Sequence, residues 1–245
     1  MIGILGGMGP LATADLFKKI IYATGAATDQ EHLPVIICSD PRIPDRQSAF
    51  FEDRHEISPL PAMLRGIRSL EAAGAQCIVV ACNTAHHWFD VLQAETALPL
   101  LHIADAACLE IKNLTHQPRK VALLGTLATV ESGFYQARLL SLGLPFVVLS
   151  PAESEKTFDR AIALVKKGDV DAAAPIAVEA IEKVVSKGAD LAILACTELP
   201  VALANIDSPI QLLDATDALA KRVVQWGRER FVCLPTWAKG FSNAN

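Results

Sequence analysis

The sequence predicts an α/β fold of two similar lobes. Each is a parallel four-stranded sheet flanked by helices, and a pseudo-twofold axis relates them. Three observations lead there. Short, continuously apolar runs alternate with helix-period stretches along most of the chain, the pattern of parallel strands covered on both faces. A helix ending in Gly-Ala is followed by an apolar strand and then a cysteine, and this happens twice. Gly74-Ala75 leads to Cys82, Gly188-Ala189 leads to Cys196, and each glycine precedes its cysteine by eight residues. Gly6 and Gly125 close the first and fifth expected strands 119 residues apart, and the two cysteines are 114 apart.

Taken in order, residues 2–5 form the first strand, and Gly6-Gly7-Met8-Gly9-Pro10 turns the chain into a helix over 11–24. Residues 35–38 form the second strand, and Pro44-Asp45-Arg46-Gln47 falls in the long segment after it. Helical spacing over 60–73 leads to a strand at 77–81, a strand at 98–103 and a helix at 105–114. The second half repeats the scheme. It has strands at 121–124, 146–149, 191–195 and 210–213, and helices at 130–142, 155–167, 170–187 and 216–230. The expected lobes are 1–104 and 105–214, with the last helix (215–231) returning to the first lobe. Residues 232–245 lose periodicity and read as a poorly ordered tail.

With 245 residues, 51% hydrophobic and 20% charged, the chain has a globular composition. The net charge of −5 and the scattering of basic doublets argue against a nucleic-acid surface. No run approaches the roughly 20 apolar residues of a membrane span, and no leader pattern is visible, so the expected location is the cytoplasm. Cys38, Cys77, Cys82 and Cys196 lie in or at the ends of aliphatic runs, Cys108 in a helical pattern and Cys233 near the tail. Without CxxC or Cys/His spacing, neither a disulfide framework nor a metal site is expected.

A single buried cysteine is usually a packing residue. Two at matching strand ends, followed by Asn83-Thr84 and Thr197-Glu198, favour chemistry, because a thiolate gains from a helix N-terminus. The Gly7-Met8-Gly9 turn serves either as a backbone cradle for a small anion or as a tight strand-to-helix turn. The loop Gly125-Thr126-Leu127-Ala128-Thr129 offers hydroxyls beside the same cleft and can cap the following helix. His86 and His87 are candidate bases, but adjacent helical residues diverge, so at least one is a surface or packing residue. Arg46 suits a guanidinium clamp on a carboxylate.

Ile4-Leu-Gly-Gly-Met-Gly-Pro10, Ile43-Pro-Asp-Arg46, Cys82-Asn-Thr-Ala-His86 and Ala195-Cys-Thr-Glu198 together resemble the aspartate racemases. These belong to the cofactor-independent aspartate/glutamate racemase superfamily. The resemblance extends to about Arg230. It implies that Cys82 and Cys196 are paired acid/base thiols, and that Met8, Asn83, Thr84, Thr126, Thr197 and Glu198 line the substrate site. It also implies that Arg46 and Lys166 meet the side-chain carboxylate, and that the protein is a homodimer using neither pyridoxal phosphate nor a metal. Glutamate racemases carry Asp-Ser-Gly and Cys-Thr-His-Tyr-Pro where this chain has Gly7-Met8-Gly9 and Cys196-Thr-Glu-Leu-Pro200. The expected activity is interconversion of L- and D-aspartate, extending to glutamate, by two-base proton transfer. The alternatives are a broad-specificity amino-acid racemase and a dicarboxylate-binding protein without turnover.

Overall fold

A computed structural model describes residues 1–52, 58–204 and 206–231. The expected tail, with Cys233, lies outside them. The first half runs β1 (Ile2–Gly6), α1 (Pro10–Thr24), β2 (Val35–Ser39), α2 (Arg46–Phe51), α3 (Leu60–Ala72), β3 (Cys77–Val80), α4 (Phe89–Ala94) and β4 (Leu100–Leu101). The second runs α5 (Ile103–Lys112), β5 (Val121–Gly125), α6 (Leu127–Glu131), α7 (Phe134–Ser141), β6 (Phe146–Val147), α8 (Pro151–Ser154) and α9 (Arg160–Lys166). It ends with α10 (Val170–Ser186), β7 (Leu191–Ala195), α11 (Leu199–Ala202), β8 (Gln211–Asp214) and α12 (Ala215–Phe231).

The two sheets have the same wiring. One orders its strands β2-β1-β3-β4 and the other β6-β5-β7-β8, with all pairings parallel. Leu5 pairs with Val80 in the first sheet, and Leu124 pairs with Leu194 in the second. Cys82 and Cys196 therefore each stand two residues beyond the equivalent paired position. The expected fold of two like lobes is the fold found.

Strand pleating sorts side chains by alternate position. Ile2, Ile4, Cys77 and Val79 of the first sheet, with Val121, Leu123, Leu191 and Ile193 of the second, face a shared core. Helices α1, α5, α7 and α12 contribute to that same core. On the outer faces, Leu5, Ile78 and Val80 pack toward α3, while Ala122, Leu124, Ala192 and Leu194 pack toward α9 and α10. Each large aliphatic side chain buried this way contributes about 1.5–3 kcal/mol of transfer free energy. Helix α12 packs on α1 and α5, closing the shared core. Lys19 of α1 forms ion pairs with Asp15 and, at 2.6 Å, with Asp214 at the end of β8.

Several elements differ from expectation, among them the strand expected over 146–149, which is only Phe146–Val147. The strand expected over 98–103 is only Leu100–Leu101, because the His102 side chain accepts from Ala104 N–H and starts α5 two residues early. The helix expected over 130–142 is two helices, since Gly133 between them adopts φ +73°, a left-handed conformation that ends α6. The helix expected over 155–167 begins at Pro151 with a Ser150–Glu153 capping box and passes through a π-helical turn, Glu155–Asp159. The segment around Arg46 is helical, because Asp45 caps α2 by accepting from Ser48 N–H.

Candidate active site

The site forms where strands end. Met8 lies in the turn after β1, Cys82, Asn83 and Thr84 follow β3, Thr126 follows β5, and Cys196, Thr197 and Glu198 follow β7. One helix from each half completes it, with Arg46 at the start of α2 and Lys166 at the end of α9. All ten residues singled out in the sequence line one narrow cavity, together with Asp45 and Gln47. Open clefts of such sheets lie at this end of the strands. The free volume is about 20 Å³, room for roughly one water.

The turn after β1 requires glycine at one position. Gly7 has φ +93°, and a β-carbon there would fall 2.4 Å from backbone atoms of Asp40. Its N–H donates to Thr13 Oγ1 at 2.9 Å, and that hydroxyl donates to Gly9 O at 2.9 Å. The turn is thus fastened to α1 while Met8 faces the cavity.

The hydroxyls are less free than their positions suggest. Thr84, Thr126 and Thr129 close a ring of hydrogen bonds at 2.9, 3.0 and 2.9 Å across the two halves. Each hydroxyl in such a ring donates once and accepts once, so lone pairs rather than protons remain for a ligand. Thr126 also caps α6 by accepting from Thr129 N–H. Thr197 Oγ1 donates to Glu198 Oε2 at 3.0 Å, and Cys196 Sγ donates to the same oxygen at 3.1 Å. Burial first, and the Glu198 carboxylate second, raise the Cys196 thiol well above the ordinary range.

The unpaired donors lie elsewhere. Arg46 gives Nη1 to Ile43 O and Pro44 O at 3.1 and 2.7 Å, and Nη2 to Met8 O at 3.2 Å. Its guanidinium mainly pins its own loop to the Met8 turn, which narrows the free clamp expected from sequence to what remains, notably a buried Nε–H without a partner. Asn83, 3% exposed, accepts from Tyr135 through Oδ1 at 2.6 Å and leaves Nδ2 buried and unpartnered. Both residues line the cavity, and each carries a buried donor for which the described residues supply no acceptor. Asp45 stays ionised despite its burial, because the Ser48 amide, Arg46 and Lys166 hold its carboxyl below the usual range.

Neither candidate histidine lines the cavity. Ile103 N–H donates to His86 Nε2 at 3.2 Å, which fixes the proton on Nδ1, and Nδ1 then donates to Cys82 O at 2.8 Å. Burial pushes His86 down to about 4, so it braces the Cys82 turn as a neutral ring. His87 is exposed and lies edge-on to Phe50 at 4.8 Å. Among the described residues, no three His, Cys, Asp or Glu side chains are grouped to hold a metal, and no helix is long and apolar enough to cross a membrane.

The sequence offers Thr129 as one hydroxyl of the loop beside the cleft, but gives no signal that Asp45 and Gln47 line the cavity. Gln47 Oε1 lies 3.5 Å from Ala128 N, across the two halves. Tyr135 carried no signal, because it sits inside a helical pattern and nothing in its neighbourhood marks it as polar-partnered.

Two like α/β halves, each delivering a thiol and polar successors from a matching strand end into one cavity, define a pseudosymmetric protein with an interlobe site. The chain belongs to the Asp/Glu/hydantoin racemase family, whose profile matches residues 5–223. It is 31% identical over 230 residues to the broad specificity amino-acid racemase RacX of Bacillus subtilis, covering 91% of this chain and 96% of that one. The structure resembles the aspartate racemase of Picrophilus torridus, with a TM-score of 0.80 and 33% identity over 92% of this chain and 93% of the other. It also resembles an aspartate racemase homologue from Pyrococcus horikoshii, with a TM-score of 0.72 and 30% identity over 92% and 97%.

Proposed function

We propose that the protein is a cofactor-independent amino-acid racemase acting on aspartate, extending to glutamate, with Cys82 and Cys196 as its two acid/base groups. One observation carries the reading: a cysteine from each lobe lines one cavity with Asn83 and Arg46, each of which carries a buried, unpartnered donor, Nδ2 and Nε. The donors suit a carboxylate, and the lone pair left on Thr84 Oγ1 suits an ammonium group. Lys166 then faces the side-chain carboxylate.

In one direction the thiolate on one side takes the α-proton and becomes a thiol. The electron pair stays on the substrate, delocalised into the carboxylate. The opposing thiol returns its own proton to the other face and becomes the thiolate. In the reverse direction the roles exchange. The reacting C–H is far less acidic than a thiol of reference pKa about 8.5. Preorganised donors at the carboxylate and a water-poor cleft must therefore stabilise the developing charge. Space for about one water does not admit an amino acid, so the lobes part for entry and close for chemistry.

The test is deuterium incorporation at Cα in heavy water, with circular dichroism to follow L-to-D conversion. A protein that binds aspartate without exchange is a binding protein, and the proposal falls. A second reading, broad specificity, is favoured by Asp45 and Glu198: their carboxylates line the cavity beside Arg46 and Lys166 and oppose selection of an acidic side chain by charge. A panel of L-amino acids separates the two. Lys166→Met should raise KM for aspartate more than for alanine if aspartate is the substrate, and equally for both if it is not. We also take the enzyme to be a cytoplasmic homodimer; light scattering that returns a monomer mass would remove the dimer.

A further inference from the structure

We infer that Tyr135 is a positioning residue for the racemase site: its buried hydroxyl locks the Asn83 amide with the oxygen held and both N–H groups left for the substrate. The inference rests on the proposed function for its consequence, though not for its geometry.

Tyr135 lies on α7 in the second half of the chain, is 0% exposed, and belongs to the core shared by the two sheets. A phenol hydroxyl at that depth needs a partner. Among the described residues the hydroxyl has one hydrogen-bond partner, Asn83 Oδ1 at 2.6 Å, reached from 52 residues away in sequence. Burial raises the phenol well above its ordinary value, so the proton stays on and the hydroxyl remains a donor.

An amide can sit in either of two flips, and the hydroxyl distinguishes them. With Oδ1 toward Tyr135, the phenol proton has an acceptor and Nδ2 is left without a partner on a residue that lines the cavity. With the amide reversed, the phenol proton loses its acceptor and a lone pair faces an incoming carboxylate. The core residue therefore selects the flip that suits an anion. Asn83 is doubly held, since its own carbonyl accepts from His86 N–H at 2.9 Å. Gly133, by ending α6, lets α7 start in the direction that delivers Tyr135.

Tyr135→Phe keeps the ring and removes only the hydroxyl. The expected result is a loss of roughly tenfold in kcat/KM for aspartate with little change in thermal midpoint. On an Asn83→Ala background the same substitution should have no further effect, because Tyr135 acts through Asn83. Wild-type kcat/KM in Tyr135→Phe, or an equal loss in both backgrounds, would overturn the inference. A second readout needs no turnover. In ¹⁵N NMR of the free protein, the Asn83 side-chain resonances, assigned by their loss in Asn83→Ala, should shift in Tyr135→Phe. If that variant does not fold, 3-fluorotyrosine at position 135 should shift them instead. Unmoved resonances overturn the assignment. A wild-type protein without turnover that still shows the shift would sink the proposed function alone.

Discussion

Cys82 and Cys196 leave their sheets at the same register, yet the residues that follow them are used in opposite ways. After Cys82, Asn83 and Thr84 reach across to Tyr135, Thr126 and Thr129 of the other half. After Cys196, Thr197 and Glu198 turn inward on their own strand end, and Glu198 Oε2 receives both the Cys196 and Thr197 protons. The turns after the first strand of each sheet diverge as well. Gly7 and Thr126 both follow the glycine that closes β1 or β5. Only Gly7 is forced by a left-handed backbone and a close approach to Asp40, whereas Thr126 is an ordinary extended N-cap. A repeated scaffold thus sets where each sulfur stands, and the successors set the company it keeps.

The most severe way to break this comparison is to remove one sulfur at a time. Cys82→Ala and Cys196→Ala should each cut racemisation by about 10²–10⁴-fold, measured by circular dichroism on either enantiomer. A variant that keeps near-wild-type turnover removes its thiol from the chemistry. Serine substitutions sharpen the same point. Cys82→Ser and Cys196→Ser should exchange the α-proton for deuterium from one enantiomer each, and from opposite ones. Exchange of the same enantiomer by both would mean that the sulfurs do not serve opposite faces.

The two turns give a stability test. Gly7→Ala should cost about 1–3 kcal/mol in urea unfolding from its backbone conformation alone, before any overlap with Asp40. Thr126→Ala should cost about 1 kcal/mol through its lost cap. Equal costs would erase the distinction between the turns. The gentlest expected effect is a displacement in pH. A raised thiol keeps its proton to higher pH, and the Glu198 carboxylate is part of what raises Cys196. Glu198→Gln removes that charge, so the thiol releases its proton sooner and the alkaline limb of kcat/KM moves to lower pH. An unmoved limb would deny Glu198 its hold on Cys196.

Much of this was legible in the sequence, for identifiable reasons. Continuous apolar strands and the paired Gly-to-Cys spacing are local patterns, so the two sheets and the convergence of Cys82, Cys196 and the Thr126 loop could be read directly, whereas Met8 entered the site through the family resemblance. Hydrogen-bond direction could not. Thr84, Thr126 and Thr197 were expected to line the substrate site, but the Thr84 hydroxyl is tied into a ring with Thr126 and Thr129 that only folding brings near, and Thr197 gives its proton to the adjacent Glu198. Arg46 was read as a clamp, whereas carbonyls of Ile43, Pro44 and Met8 take most of its guanidinium, and the Met8 contact spans 38 residues. Gly133 falls inside the single helix expected over 130–142, because its positive φ leaves no trace in side-chain spacing.

The pairing of β1 with β3 and of β5 with β7 has one more implication. The chain between Leu5 and Val80 is longer than that between Leu124 and Leu194, yet each sulfur emerges at the same step past its rung. Insertions and deletions in the intervening loops are therefore harmless to the spacing of the two reactive atoms. One residue added or lost between Val80 and Cys82, or between Leu194 and Cys196, would swing that atom to the other side of its sheet. Tolerance to length change should consequently fall abruptly over those few positions, and a scan of single-codon indels along the gene would map them as two narrow forbidden windows.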